Sequence, residues 1–242
     1  MSKTKVAGTL ILIIGYLFVF AFADKLEAGT SIGAVPTAAV PTEDDGLPTV
    51  ILDAGHGGAD GGCISYNGVP EKGINLAIML DLKAMLQAYG YNVIVTRDGD
   101  FSIHDKDVSG LSNQKKSDMK NRLDIFNYEG DAIAISIHQN QFTDGRYSGA
   151  QMFYSDTNPE SEKLALALQE TFVENLQPEN KREIKLSGKE LYLIYFAENP
   201  SVMIECGFLS NPDEANLLQS EEYQKKVAFT IFKGINEYCG AA

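Results

Sequence analysis

The 242-residue chain has no tryptophan, and it has only three histidines and three cysteines. Cys63, Cys206 and Cys239 are too few and too far apart for a disulfide scaffold. No C-x-x-C pair occurs, which excludes a cysteine-based zinc site. Basic residues are scarce: 20 Lys and Arg face 33 Asp and Glu, for a net charge of −13. Phosphate backbones need a basic footprint, so nucleic acid is excluded as a partner, and anionic lipid surfaces are disfavoured. Nucleotide signatures are missing too. Gly55-His56-Gly57 begins like G-x-G-x-x-G, but Asp60 stands where the last glycine belongs. There is no P-loop and no G-x-S-x-G nucleophile elbow. With 44% hydrophobic residues the chain is globular in composition.

The first residues read as a targeting device. Lys3 and Lys5 precede an uncharged apolar run from Val6 to Ala23, and Ala21-Phe22-Ala23 fits a cleavage site. Residues 1–23 are therefore expected to be either a cleaved signal peptide or a membrane anchor, which makes the protein exported, secreted or tethered. No cysteine near the run supports a lipid anchor. Residues 24–47 carry Gly29, Gly33, Pro36, Pro41 and the acidic Glu43-Asp44-Asp45, with no hydrophobic period, and are expected to be a flexible linker. The folded unit is expected to span 48–240.

Within it, apolar strand-like runs alternate with helical stripes. The predicted strands are 49–53, 91–96, 132–138, 149–154, 191–196 and 201–206. Ile74, Ile78, Leu82, Met85 and Tyr89 form one helical stripe ended by Gly90. Leu164, Leu168, Phe172 and Leu176 form a second, and Val227, Ile231 and Ile235 a third. A more polar helix is expected over 113–128. This alternation predicts a single α/β domain with a mostly parallel or mixed central sheet and helices on both faces.

In such sheets ligands gather outside the carboxyl ends of the strands. His56 follows the first strand on a glycine-rich turn, His138 closes the third, Glu205 lies near the end of the sixth, and Glu71 opens the first helix. Each alone has an ordinary reading: a loop histidine, a core histidine, or a carboxylate favoured by a helix dipole. Glu205 is hardest to explain so, because a carboxylate between Ile204 and Cys206 costs several kcal/mol unless paired or ligated. One divalent cation would account for all four. Two His and one carboxylate make the set that leaves a catalytic zinc one open position, and the other carboxylate is then free to act as base. His104, in a polar segment, is expected to be a solvated loop residue, and Cys206 a small buried apolar one.

The stretches ILDAGHGGADGG at 51–62, Glu71 with Asn75 in EKGINLA, Arg122 in NRLDIFN, SIHQN at 136–140 and ECGFLSN at 205–211 resemble the zinc-dependent N-acetylmuramoyl-L-alanine amidases, particularly their sporulation and germination branch. The resemblance covers about Thr49 to Tyr238. It implies a phosphorylase/hydrolase-like fold and a Zn2+ cofactor held by His56, Glu71 and His138. It also implies Glu205 as the catalytic carboxylate, peptidoglycan as substrate, and a place in forming the muramic lactam of spore cortex. It allows an activating protein partner. Gln141 and Phe142 depart from the small residue that many members carry after the S-I-H-x-N stretch. Ser155 to Pro159 leaves no room for the helical insert that plugs the site in some division amidases. The competing expectation is a membrane-tethered peptidoglycan-binding scaffold with structural zinc.

Overall fold

A computed structural model describes residues 46–241. The expected leader at 1–23 and nearly all of the expected linker at 24–47 lie outside them. Among the described residues no helix is long and apolar enough to cross a membrane.

The strands are β1 (Thr49–Ala54), β2 (Val93–Val95), β3 (Ala132–Asn140), β4 (Gln151–Tyr154), β5 (Lys185–Leu186) and β6 (Ser201–Phe208). The helices are α1 (Glu71–Tyr89), α2 (Leu111–Phe126), α3 (Glu160–Asn175), α4 (Tyr192–Phe196), α5 (Pro212–Leu218) and α6 (Glu221–Cys239). The sheet order is β2-β1-β3-β6-β4-β5. All neighbours run parallel except β4 and β6, which are antiparallel, so the sheet is mixed.

Alternation along the strands decides the layers. Val50, Leu52 and Ala54 of β1, Ile135 and Ile137 of β3, and Val202 and Ile204 of β6 point to one face and pack under α1, α3 and α6. The helices answer with stripes at steps of four. Ile78 and Leu82 of α1, Leu168 and Phe172 of α3, and Ile231 and Ile235 of α6 are all fully buried. Each buried side chain of this size is worth roughly 1.5–3 kcal/mol. The stripe of α1 runs to Leu86, leaving Met85 and Tyr89 only partly covered. Gly90 closes this helix at φ 111°, a left-handed conformation that suits glycine.

The opposite face is covered by less. Ile51, Ala132 and Ala134 pack against Phe126 of α2 and Leu193 of α4. The buried residues of α2 are Asp118, Arg122 and Phe126, with Met119 and Leu123 partly covered beside them, so its inward face is half polar. Toward the carboxyl end of this face the apolar cover gives way to polar residues, where Asp53, Ser136 and Arg122 are buried together.

The expected strand at 191–196 is instead helix α4, and the fifth strand is Lys185–Leu186. A short apolar run does not by itself distinguish strand from buried helix. Both places beside β6 are filled, by β3 and β4. As a helix the run buries Leu193 and Ile194 and sets Tyr192 against Phe196, ring centroids 4.9 Å apart, on its outer side. Ser155–Pro159 does lead directly into α3, as expected.

Candidate metal centre and cleft

The three side chains His56, Glu71 and His138 meet at the carboxyl edge of the sheet. Each offers one donor atom, and these atoms lie within 4.8 Å of one another. His56 hangs from the turn after β1, His138 from β3, and Glu71 is the first residue of α1. The turn that carries His56 is tight. Gly57 and Asp60 exchange backbone hydrogen bonds of 2.9 and 3.1 Å, and His56 itself has φ 64°, rare for a non-glycine residue. Strain of this kind persists only where surroundings enforce it, and it clusters at functional sites.

Glu71 sits at the centre. Its Oε1 lies 2.9 Å from His138 Nδ1 and its Oε2 lies 3.2 Å from His56 Nε2. Backbone N–H groups of Cys63 and Gln139 donate to the same carboxylate at 2.9 and 3.0 Å, and Asn75 Nδ2 donates to Oε1 at 3.0 Å. Burial opposes its charge, but the two imidazoles outweigh that and hold it well below the usual carboxylate range. Burial likewise opposes charge on His56, yet Glu71 and Asp60 lift its imidazole to about 9.

The donor set fits a divalent cation. Imidazole and carboxylate are zinc's ordinary non-sulfur ligands. The backbone is also shaped to admit them. A Cβ at Gly55 would stand 2.2 Å from His138 Cε1 and Nε2, and one at Gly62 (φ 71°) would stand 2.5 Å from Glu71 Oε2. Only glycine leaves room for the cluster at these two positions.

Glu205 completes the arrangement differently. It is the register partner of His138 across the parallel β3–β6 pair. Its Oε2 is shielded from solvent and has no hydrogen-bond partner. Burial pushes its carboxyl up to about 7; His138 and His56 pull it down and Glu71 pushes it further up. Glu205 is not among the side chains whose donor atoms converge.

Beneath the cluster lies a buried ionic pedestal. Arg122 Nη1 donates to Asp53 Oδ1 and to the carbonyl of Ala54, Nη2 to the carbonyl of His56 at 2.6 Å, and Nε to Asp118 at 2.8 Å. Thr96 and Ser136 hydroxyls donate to Asp53, both at 2.6 Å. Burial penalises the Asp53 charge, but Arg122 and the two hydroxyls hold its carboxyl below the ordinary value. Arg97 caps the carbonyls of Ala54, Gly55, Lys72 and Gly99, tying the His56 turn to α1. Beside the histidines a cavity of about 300 Å³ opens, walled by Lys115 and Met119 of α2, Tyr192 of α4 and Met203 of β6.

All four expected site residues therefore gather at one rim. His104 stands apart: it is half-buried rather than freely solvated, with Nδ1 2.8 Å from Ser102 Oγ, which donates to Asp118. Cys206 is fully buried, as expected. Asp60, Arg97 and Asp53 are supports that the sequence alone does not mark. Asp60 is the one with a local signal, four residues after His56 inside the glycine-rich turn.

Comparison with known proteins places the chain in a family. The family model for N-acetylmuramoyl-L-alanine amidases matches residues 50–237. The germination-specific N-acetylmuramoyl-L-alanine amidase of Bacillus subtilis is 37% identical over 189 residues, covering 78% of each chain. Among solved structures, the CwlD amidase of Clostridioides difficile, determined in complex with the GerS lipoprotein, superposes with a TM-score of 0.77 at 38% identity, covering 81% of this chain and all of that one. An N-acetylmuramoyl-L-alanine amidase from Clostridium difficile 630 superposes with a TM-score of 0.69 at 29% identity, covering 81% of this chain and 98% of that one.

Proposed function

Since this chain belongs to the N-acetylmuramoyl-L-alanine amidase family and is a peptidoglycan amidase, we propose that it is zinc-dependent, with His56, Glu71 and His138 as metal ligands and Glu205 as the catalytic carboxylate. The bond broken is the amide between the lactyl group of N-acetylmuramic acid and L-alanine. The observation that carries the reading is the pairing of a three-residue donor cluster with a shielded, unpartnered carboxylate oxygen on the adjacent strand.

Zinc held there supplies Lewis acidity for the scissile carbonyl and makes water a better acid. The residues do the rest. Glu205 accepts a proton from the attacking water as its oxygen bonds to the carbonyl carbon, and returns a proton to the alanine nitrogen as the carbon–nitrogen bond breaks. In the metal-free protein burial raises this carboxyl, and with no other partner on its shielded oxygen it is free to exchange protons with substrate and water. Glu71, with its carboxylate saturated by donors, stays ionised. The pedestal fixes the His56 turn through the carbonyls it holds, and the adjoining cleft takes substrate. The products are a muramoyl carboxylate and a free stem peptide.

The germination-specific relative supports a finer assignment, processing of spore-cortex peptidoglycan toward muramic lactam. The complex of the C. difficile relative with a lipoprotein supports an activating protein partner for this chain. Residues 48–240 form the catalytic domain in this reading, placed outside the cytoplasm by the N-terminal segment, cleaved or retained. A scaffold with structural zinc is disfavoured, because such sites close with four protein ligands and Glu205 lies outside the converging set.

The test is release of peptide from purified peptidoglycan by the zinc-loaded chain, with mass spectrometry of the new ends. Chelation should abolish release. Glu205→Gln should keep zinc and lose about 10²–10⁴-fold in rate. A Gln variant as active as the wild type would remove Glu205 from its role.

A further inference from the structure

We propose that Asp60, braced by Lys115, is the positioning residue that turns the Nε2 of His56 toward the metal site; the inference rests on the cation assignment above. The two nitrogens of the His56 ring face different carboxylates. Nε2 lies 3.2 Å from Glu71 Oε2, inside the donor cluster, and Nδ1 lies 3.0 Å from Asp60 Oδ2, on the opposite side of the ring. Asp60 therefore does not share the cluster. With Asp60 accepting a hydrogen bond from Nδ1–H, Nε2 on the Glu71 side is left as the nitrogen that faces the metal site. A metal-binding imidazole needs that tautomer, and the partner on its other nitrogen sets both tautomer and ring plane.

Asp60 is itself held. Its backbone pairs with Gly57 to close the turn, and Lys115 Nζ donates to its other oxygen, Oδ1, at 2.7 Å. Lys115 comes from α2, so the chain Lys115–Asp60–His56 ties the metal-site turn to the helix that walls the cleft. The N–H of Gly62 adds a long contact of 3.4 Å to Oδ1.

The brace is needed at one histidine and not at the other. His138 stands within strand β3, paired with Glu205 of β6, faces Glu71 through its own Nδ1, and packs so close to Gly55 that even a methyl group there would collide with it. His56 hangs on a turn with a left-handed backbone and has half-open surroundings. Its ring orientation comes from side-chain partners, and Asp60 is the one outside the metal site.

The measurement is zinc affinity of the full chain by competition with a chromophoric chelator, together with the visible spectrum of the cobalt(II)-substituted protein and thermal unfolding of the metal-free protein. Asp60→Ala should bind zinc about 10–100-fold more weakly, with changed cobalt bands and an unfolding temperature close to the wild type's. Asp60→Asn, whose amide oxygen still accepts from Nδ1, should lose part of that affinity. Lys115→Met should lose less than Asp60→Ala. Unchanged zinc affinity in Asp60→Ala, while the wild type binds zinc, would overturn this inference alone. A wild type that binds no zinc would overturn the metal reading and this one with it. Should the Ala variant fail to fold, the near-isosteric Asn variant decides: wild-type affinity there overturns the proposal.

Discussion

Asp53 and Glu205 project from the same face of the sheet, two strands apart, and the protein treats their carboxylates in opposite ways. Asp53 is enclosed by one guanidinium and two hydroxyls, and its carboxyl is held down. Glu205 has a shielded oxygen with no partner, and its carboxyl is pushed up. A satisfied buried acid fixes geometry, because its network has one good arrangement. An unsatisfied one is costly to the fold and available to exchange protons. The pedestal is built to stay still, and the rim one layer above it is built to react.

The comparison breaks most visibly at Arg122. Replacing it with Ala leaves Asp53 and Asp118 buried without their cation, which should cost about 3–5 kcal/mol. Urea unfolding measures this. Because Arg122 also holds the carbonyl of His56 at 2.6 Å, zinc affinity should fall as well. A variant as stable as the wild type would mean that the pedestal contributes little.

The apolar face offers the control. Leu168 of α3 is fully buried within the large core cluster, away from the site. Leu168→Ala should destabilise by about 2–5 kcal/mol through lost transfer energy and the cavity left behind. Zinc affinity and turnover at temperatures where the protein stays folded should not change. A drop in turnover there would show that the faces are coupled and that the division of labour is incomplete.

The sequence is most informative where burial is continuous. The runs at 49–53, 132–138 and 201–206 and the stripe from Ile74 to Leu82 mark the central strands and the first helix, because elements covered on both sides or along one stripe must be apolar in pattern. The rim residues were legible for the converse reason: a Glu between Ile204 and Cys206 has no ordinary explanation. The apolar run at 191–196 reads as a strand yet folds as α4, because apolar content alone does not say whether a sheet position is vacant. The supports were the least visible. Arg97 acts only on main-chain carbonyls, which have no residue signature. Asp60 looks like any turn aspartate until the fold brings Lys115 beside it.

Acid titration sharpens the contrast with the smallest effect. In metal-free protein, Asp53 has a folded pKa below its ordinary 3.8, and Asp60, through Lys115 and His56 acting against burial, is lowered to about 2. A depressed folded value means that the native state binds protons less readily than the unfolded chain. The stabilisation is thus fully present above 3.8 and lost as pH falls through the folded values. Unfolding free energy from urea titrations should decline as pH drops below about 4. In Arg122→Ala the part due to Asp53 should vanish or change sign, since burial without its cation raises a carboxyl. The Asp60 part should survive, because Asp60 is partly exposed and is held by Lys115 and His56, not by Arg122. An acid limb unaltered by the Arg122 substitution would mean that Asp53 is held down by its hydroxyl donors and not by the guanidinium.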